Sequence, residues 1–217
     1  MSHALFTQEE LIRIKNAVAE AEQLSGGEIV PVFSRQSSWY EHTLWRAGAL
    51  FALLTAIVLT IVYLSSDILL WLPPYLWLLI CITGGTAGAT VAESLPFVKR
   101  FFISHESLQQ QVEARAQQLF VEQSVSHTEQ RTGILLYISF FEKHALILPD
   151  MGISEVVNHE IWEDILQKLV STMKDGQHTT AICNAIVSCG RVLAESGIQK
   201  AEDDDENELP DEIHIDE

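Results

Sequence analysis

Apolar and polar positions along the chain follow three regimes. Behind the capping box Thr7-Gln8-Glu9-Glu10, Leu11, Ile14, Ala17 or Val18, and Ala21 recur at helical spacing. They predict an amphipathic helix that ends at Leu24-Ser25-Gly26-Gly27, where glycine suits a left-handed terminus. Residues 28–33 (EIVPVF) read as a short strand, in which Pro31 favours an edge or a bulge because it cannot donate to a ladder. Periodicity then gives way to continuous apolarity. Residues 47–64 and 75–92 are two charge-free runs of about 18 residues each, close to the length a helix needs to cross a hydrocarbon core of ~30 Å. Pro73-Pro74 breaks the chain between them. They read as a two-helix transmembrane hairpin, the alternative being a buried helical pair in a soluble core. Amphipathic patterning then resumes. Ser104 caps a helix running to about Gln123, residues 132–140 form a dense apolar strand, Glu142-Lys143 a turn, and residues 145–149 a second strand. Two further helices follow, over about residues 156–173 and 179–196, the last ended by Gly197.

One helix and one strand cannot bury a core, so the pieces on either side of the hairpin belong to one domain. The fold class is α/β: a small mixed sheet with helices packed on it, interrupted by the membrane hairpin. Residues 1–40 form its first part, 41–100 the hairpin, 101–199 its second part and 200–217 an acidic C-terminal tail.

Charge sharpens this picture. The 217-residue chain has a formal net charge of −17, and ten of its 30 acidic residues fall in residues 201–217. Mean hydropathy is nevertheless +0.15, because the hairpin concentrates the apolar excess. Without a basic arm or helix, nucleic acid is excluded as a partner. Arg35 and Arg46 precede the first span and Lys99 and Arg100 follow the second, while the connecting loop holds no Lys or Arg, so both termini are expected in the cytoplasm of a cell with this protein in its inner membrane. Trp39, Tyr40 and Trp45 mark the inner boundary, and Tyr63, Trp71, Tyr75 and Trp77 the outer one. Gly84 and Gly88 form a GxxxG that either packs the hairpin against itself or joins two copies in a homo-oligomer. Cys81, Cys183 and Cys189 read as small hydrophobes rather than as a metal or disulfide set.

Topology gathers the candidate chemistry. If the strand of Glu28 runs parallel to that of residues 133–140, as a strand, helix, strand crossover favours, then Glu28, Arg131 and Asp150 are neighbours at one end of the sheet. Gly152 permits unusual backbone angles in the loop after Asp150, and Ser154 can cap the next helix. Acidic oxygens of Glu28 and Asp150 suit a hard divalent cation such as Ca²⁺ or Mg²⁺, whereas Arg131 with the amides near Gly152 suits an anion. A plain Arg131–Asp150 ion pair is the simpler alternative. His159-Glu160-Ile161-Trp162-Glu163 lacks the second histidine of HExxH, leaving a solvated helix face or a two-residue metal contact. No Walker loop, GxGxxG or GxSxG is present.

These pieces resemble the TPM domain family. The matching residues are Ser25-Gly26-Gly27-Glu28-Ile29, Thr128 with Arg131-Thr132-Gly133-Ile134-Leu135, Asp150-Met151-Gly152-Ile153, Trp162 and Asn207-Glu208-Leu209-Pro210-Asp211-Glu212-Ile213. The resemblance implies an α/β/α sandwich, a divalent-cation site described as calcium in some members, a weak acid phosphatase activity proposed for some, and work beside membrane protein complexes. By position Glu28, Arg131, Asp150 and the acids of the last motif match the family's charged residues. Thr132 stands where Asn is common, Val30-Pro31 replaces a basic position, and Pro149 replaces a Gly, changes that bear on anion binding more than on the fold. The expected function is a membrane-anchored, cation-binding accessory or interaction module for a membrane complex, with a metal-assisted phosphatase as the alternative. In the tail, residues 201–206 read as a solvated charge run, and Leu209 with Ile213 as a piece that docks on the domain or on a partner.

Overall fold

The computed structural model describes residues 5–65, 73–128, 130–198 and 213–216. In chain order the elements are α1 (Gln8–Leu24), β1 (Glu28–Ser34), α2 (Glu41–Ser65), α3 (Pro74–Ser94), α4 (Pro96–Phe101), α5 (His105–Glu122), β2 (Gly133–Ser139), β3 (His144–Pro149), α6 (Met151–Ser154), α7 (His159–Lys174), α8 (His178–Glu195) and β4 (His214–Asp216), with a 3-10 turn at Val125–His127. The chain divides into two units, one of Met1–Ser37 with Gln109–Glu217 and one of Ser38–Leu108.

The first unit is built on a four-stranded sheet of order β3-β2-β1-β4. β1 runs parallel to β2 with Glu28 opposite Gly133, and β2 pairs antiparallel with β3, as the crossover and the Glu142-Lys143 turn require. β4 has no counterpart in the sequence reading. It pairs parallel to β1 with His214 opposite Val32, and Asp216 at its end accepts two hydrogen bonds from the Arg115 guanidinium of α5, at 2.8 and 2.6 Å. That pair holds the Arg115 guanidinium above its ordinary pKa. Ile213, just before the strand, packs on the main core, so docking of the chain's end is seen at this residue. Tail residues 201–212, including most of the last matching motif, and Trp71 lie outside the described residues.

Pro31 illustrates how a ladder tolerates proline. Side chains and amides alternate along a strand, so Pro31 faces the same way as Ile29, away from β2. The Ile29 N–H donates to the Glu22 carboxylate at 3.0 Å, and pairing with β4 starts only at Val32. The missing donor therefore falls on a stretch of β1 where no strand among the described residues asks for it.

Helices cover both faces of the sheet. Ile29 and Phe33, Ile134, Leu136 and Ile138, and Ala145 and Ile147 pack against α1, α7 and α8. The alternate residues Val30, Val32, Leu135 and Tyr137 pack against Val112, Ala116 and Leu119 of α5. This is the expected α/β/α sandwich. At the start of α1 the Thr7 N–H donates to Glu10 at 2.8 Å, and the Thr179 hydroxyl does the same at 2.8 Å, which ties α1 to α8. These bonds, the Thr7 amide first, hold the Glu10 carboxyl below its ordinary pKa. Cys189 is buried in the main core, and burial pushes its thiol up to about 12, as an inert small hydrophobe requires.

Trp162 of α7 is among the largest fully buried side chains, and its indole N–H has no hydrogen-bond partner among the described residues. The ring is held by packing alone. Trp162→Phe, which discards the orphaned donor, is therefore expected to change unfolding free energy by no more than about 1 kcal/mol, against about 3–5 kcal/mol for Trp162→Ala, as urea denaturation will show.

The second unit contains α2 and α3. Residues His42–Ser65 and Tyr75–Ser94 are long and apolar enough to cross a membrane, and only 6% and 17% of their most apolar windows are buried. Leu53, Val58, Ile61 and Leu78 are each more than half exposed, which does not suit the buried pair of a soluble core. The two helices lie antiparallel: a side chain at Gly84 would meet Thr55, one at Gly85 would meet Ala52 and the Gly48 carbonyl, and one at Gly88 would meet Phe51. Both glycines of the GxxxG thus pack the hairpin against itself.

Candidate functional site

β3 leaves the sheet at Pro149, and Asp150 follows as the N-cap of α6, its Oδ1 accepting the Met151 N–H at 2.8 Å. Its backbone N–H donates to Gly133 O at 2.9 Å, which extends the β2–β3 ladder by one residue and fixes the carboxyl against the sheet end. The residue is buried, and Oδ2 has no hydrogen-bond partner among the described residues. What stands beside it is the Arg131 guanidinium, with Nε 3.7 Å from Oδ2. At that distance the contact is an ion pair without a hydrogen bond, and Arg131 is half exposed while Asp150 is 6% exposed.

The backbone around the pair is crowded. Arg131 adopts a left-handed conformation with φ 57°, unusual for a residue with a side chain. This turn directs its carbonyl to the Gly152 N–H at 3.1 Å, and a side chain at position 152 would run into the carbonyls of Gln130 and Arg131. Gly152 is thus a point of close approach between two backbones. Its own φ is not in the left-handed region; the unusual angle predicted there occurs across the gap, at Arg131. The Arg131 Nη1 donates to Ser126 O at 2.6 Å, and the Thr132 N–H to the Thr128 hydroxyl at 2.9 Å, so Arg131 and Thr132 are tied back to Ser126 and Thr128. Periodicity carries no signal for such carbonyl positions, and this part of the site was not legible in advance.

Glu28 lies farther off. Its N–H donates to Thr132 O at 3.3 Å and its partner across the ladder is Gly133, with Asp150 on the far side of that glycine. Two strand spacings, roughly 10 Å from backbone to backbone, separate Glu28 from Asp150. The position between them is closed, since a side chain at Gly133 would collide with the carbonyl and side chain of Val125. The structure therefore brings Arg131, Asp150 and Gly152 together and sets Glu28 beyond Gly133.

On α7, His159 Nε2 and Glu163 Oε1 are 3.5 Å apart, both largely exposed, the ordinary spacing of an i, i+4 pair on a solvated helix face. Among the described residues no group of three or more His, Cys, Asp or Glu is arranged to hold a metal ion.

The pattern of matches with known proteins agrees with this architecture. The NMR structure of BA42 protein from the psychrophilic bacterium Bizionia argentinensis superposes with a TM-score of 0.61 at 18% identity, covering 100% of this chain and 99% of that one. At that identity the likeness concerns the fold. No curated protein matches the chain. The TPM domain family matches residues 98–192, the stretch that carries α5, β2, β3, α6, α7 and most of α8, and with them Arg131, Asp150 and Gly152. Over residues 98–192 the sequence is similar to the TPM domain family.

Proposed function

We propose that the protein is a membrane-anchored TPM domain that binds a divalent cation at Asp150 and serves as an accessory module for a membrane complex. The observation that carries the reading is the buried Asp150 Oδ2 without a hydrogen-bond donor. A buried carboxylate oxygen is costly unless an electrophile meets it, and a hard cation is one. The fit has a cost, because Arg131 already supplies charge there. Its half-exposed side chain can swing outward, leaving Asp150, nearby loop carbonyls and water as oxygen donors for Ca²⁺ or Mg²⁺. Glu28, two strand spacings away at the backbone, is in this reading the second and weaker carboxylate for the ion. Phosphate-ester hydrolysis is the second reading, favoured by the exposed half of the Arg131 guanidinium beside the carboxylate.

The test is calorimetric titration of the full chain in nonionic detergent with CaCl₂ and MgCl₂. Asp150→Asn is expected to abolish the binding heat, and Glu28→Gln to weaken affinity by no more than about threefold, less than 1 kcal/mol. Absence of heat in the native chain, or full heat in Asp150→Asn, sinks the cation reading. Hydrolysis of p-nitrophenyl phosphate that survives Asp150→Asn and Arg131→Gln sinks the second.

The hairpin supports the membrane half of the proposal, with two passes and both termini on the cytoplasmic side of the inner membrane. Protease added to inverted inner-membrane vesicles then removes the tail, while right-side-out preparations protect it; the reverse pattern inverts the orientation.

A further inference from the structure

A second cavity, of about 440 Å³, opens at the opposite end of β2 and β3 from Asp150, beneath the last turn of α7 and the first of α8. That volume lies in the range of small-molecule sites. Its interior is hydrocarbon, with Ile138, Val170 and Met173 prominent, and its ionisable lining residues are Lys143, His144, Lys174 and His178. Among the described residues no acid lines it, in a chain whose net charge is −17.

The acids nearest in sequence or space are engaged elsewhere. Glu142, next to Lys143, is turned inward, where it takes the Ser37 N–H at 3.0 Å and the Ser139 hydroxyl. Glu10, near the start of α8, is held by Thr7 and Thr179. Asp175 is exposed and does not line the cavity. Among the described residues neither Lys143 nor Lys174 forms an ion pair. Lys143 sits in a left-handed turn conformation with φ 52°, and His178 opens α8, whose cap residue Gln177 makes no side-chain bond and whose first turn holds no acid. An apolar floor beneath exposed basic groups and unneutralised helix amides is complementary to one kind of occupant, an anionic head on a hydrocarbon body.

We propose that this cavity binds an amphiphilic anion, a small organic acid or phosphate monoester with an alkyl or aryl body, the head group at Lys143 and Lys174 and the body against Ile138 and Met173. The inference is independent of the Asp150 reading, because it uses no residue of that site.

The experiment is titration of the full chain in phosphatidylcholine nanodiscs with octyl phosphate, inorganic phosphate and octanol, followed by calorimetry. Octyl phosphate is expected to bind at least about tenfold more tightly than either of the others. Lys143→Gln with Lys174→Gln weakens it by about tenfold or more, Lys174→Arg does not, and Val170→Trp, which fills the cavity, abolishes it at unchanged circular dichroism. Equal affinity for octanol, equal affinity for inorganic phosphate, or indifference to the double lysine variant overturns the proposal. Repeating the titration in discs containing phosphatidic acid separates the sources: competition assigns the cavity to a membrane lipid of this chemistry, and its absence to a soluble acid.

Discussion

Replacing residues 39–103 by a flexible linker of about a dozen residues is expected to move the protein from the membrane pellet to the soluble fraction. The full chain should stay in that pellet after alkaline carbonate washing and be released only by detergent. Two helices with mostly exposed apolar side chains leave water at roughly 25 cal/mol for each Å² they bury in lipid, a sum that no surface charge on the remainder offsets. The excised chain keeps what its fold needs. Ser104 is retained, so its hydroxyl still accepts the Ser107 N–H at the start of α5, and both core clusters lie outside the removed segment. Release of the full chain by carbonate alone would refute the membrane assignment. An excised chain without cooperative unfolding would refute the independence of the two units.

The second large effect is expected inside the sandwich. α1 and α8 cross where Gly190 meets Ala21, and a Cβ at position 190 would lie 2.7 Å from the Ala21 Cα and 2.6 Å from its carbonyl oxygen. Backbone cannot yield as a flexible side-chain tip does, so Gly190→Val must push the helices apart and open the packing of Cys189 and Leu193 around it. A loss of at least about 3 kcal/mol is expected in urea unfolding of the excised domain, a large share of the 5–15 kcal/mol typical of a whole domain. Gly190→Ala should cost less, and Ala21→Gly should restore part of it. A loss below 1 kcal/mol for Gly190→Val would mean that the helices do not touch there.

Much of this could be read from the chain because the deciding signals are local. The Thr7 capping box, the Ser104 cap and the dense apolar runs at residues 132–140 and 145–149 each specify an element without help from the rest. The parallel pairing of β1 with β2 was the arrangement that a strand, helix, strand crossover favours, and needed no contact information. β4 was invisible for the converse reason. Three residues, with one moderately apolar side chain among acids, have no pattern of their own and become a strand only because β1 offers an open edge and Arg115 waits beside it. The site divides along the same line. Arg131 and Asp150 were placed by topology, while the separation of Glu28 depends on Gly133 and on the Val125 carbonyl lying against it, a tertiary contact that spacing cannot reveal. The basic residues of the second cavity come from a turn, a helix end and a helix start, which no linear motif connects.

The register of Glu28 opposite Gly133 sets an order on biogenesis. β1 is made before β2 and must wait for it while the long apolar helices α2 and α3 are synthesised between them. α2 and α3 pack against each other as an antiparallel pair, which holds the ends of this segment closer than those of a free linker of the same length; since each doubling of a free loop costs only about 0.6 kcal/mol, the benefit is mainly one of search time. The sheet then closes from the other direction. β4 follows every other described element along the chain, so the Arg115 clasp can engage only once those elements have been made. The first strand of the sheet waits through the making of a helical pair, and the last of its strands to be made acts as its seal.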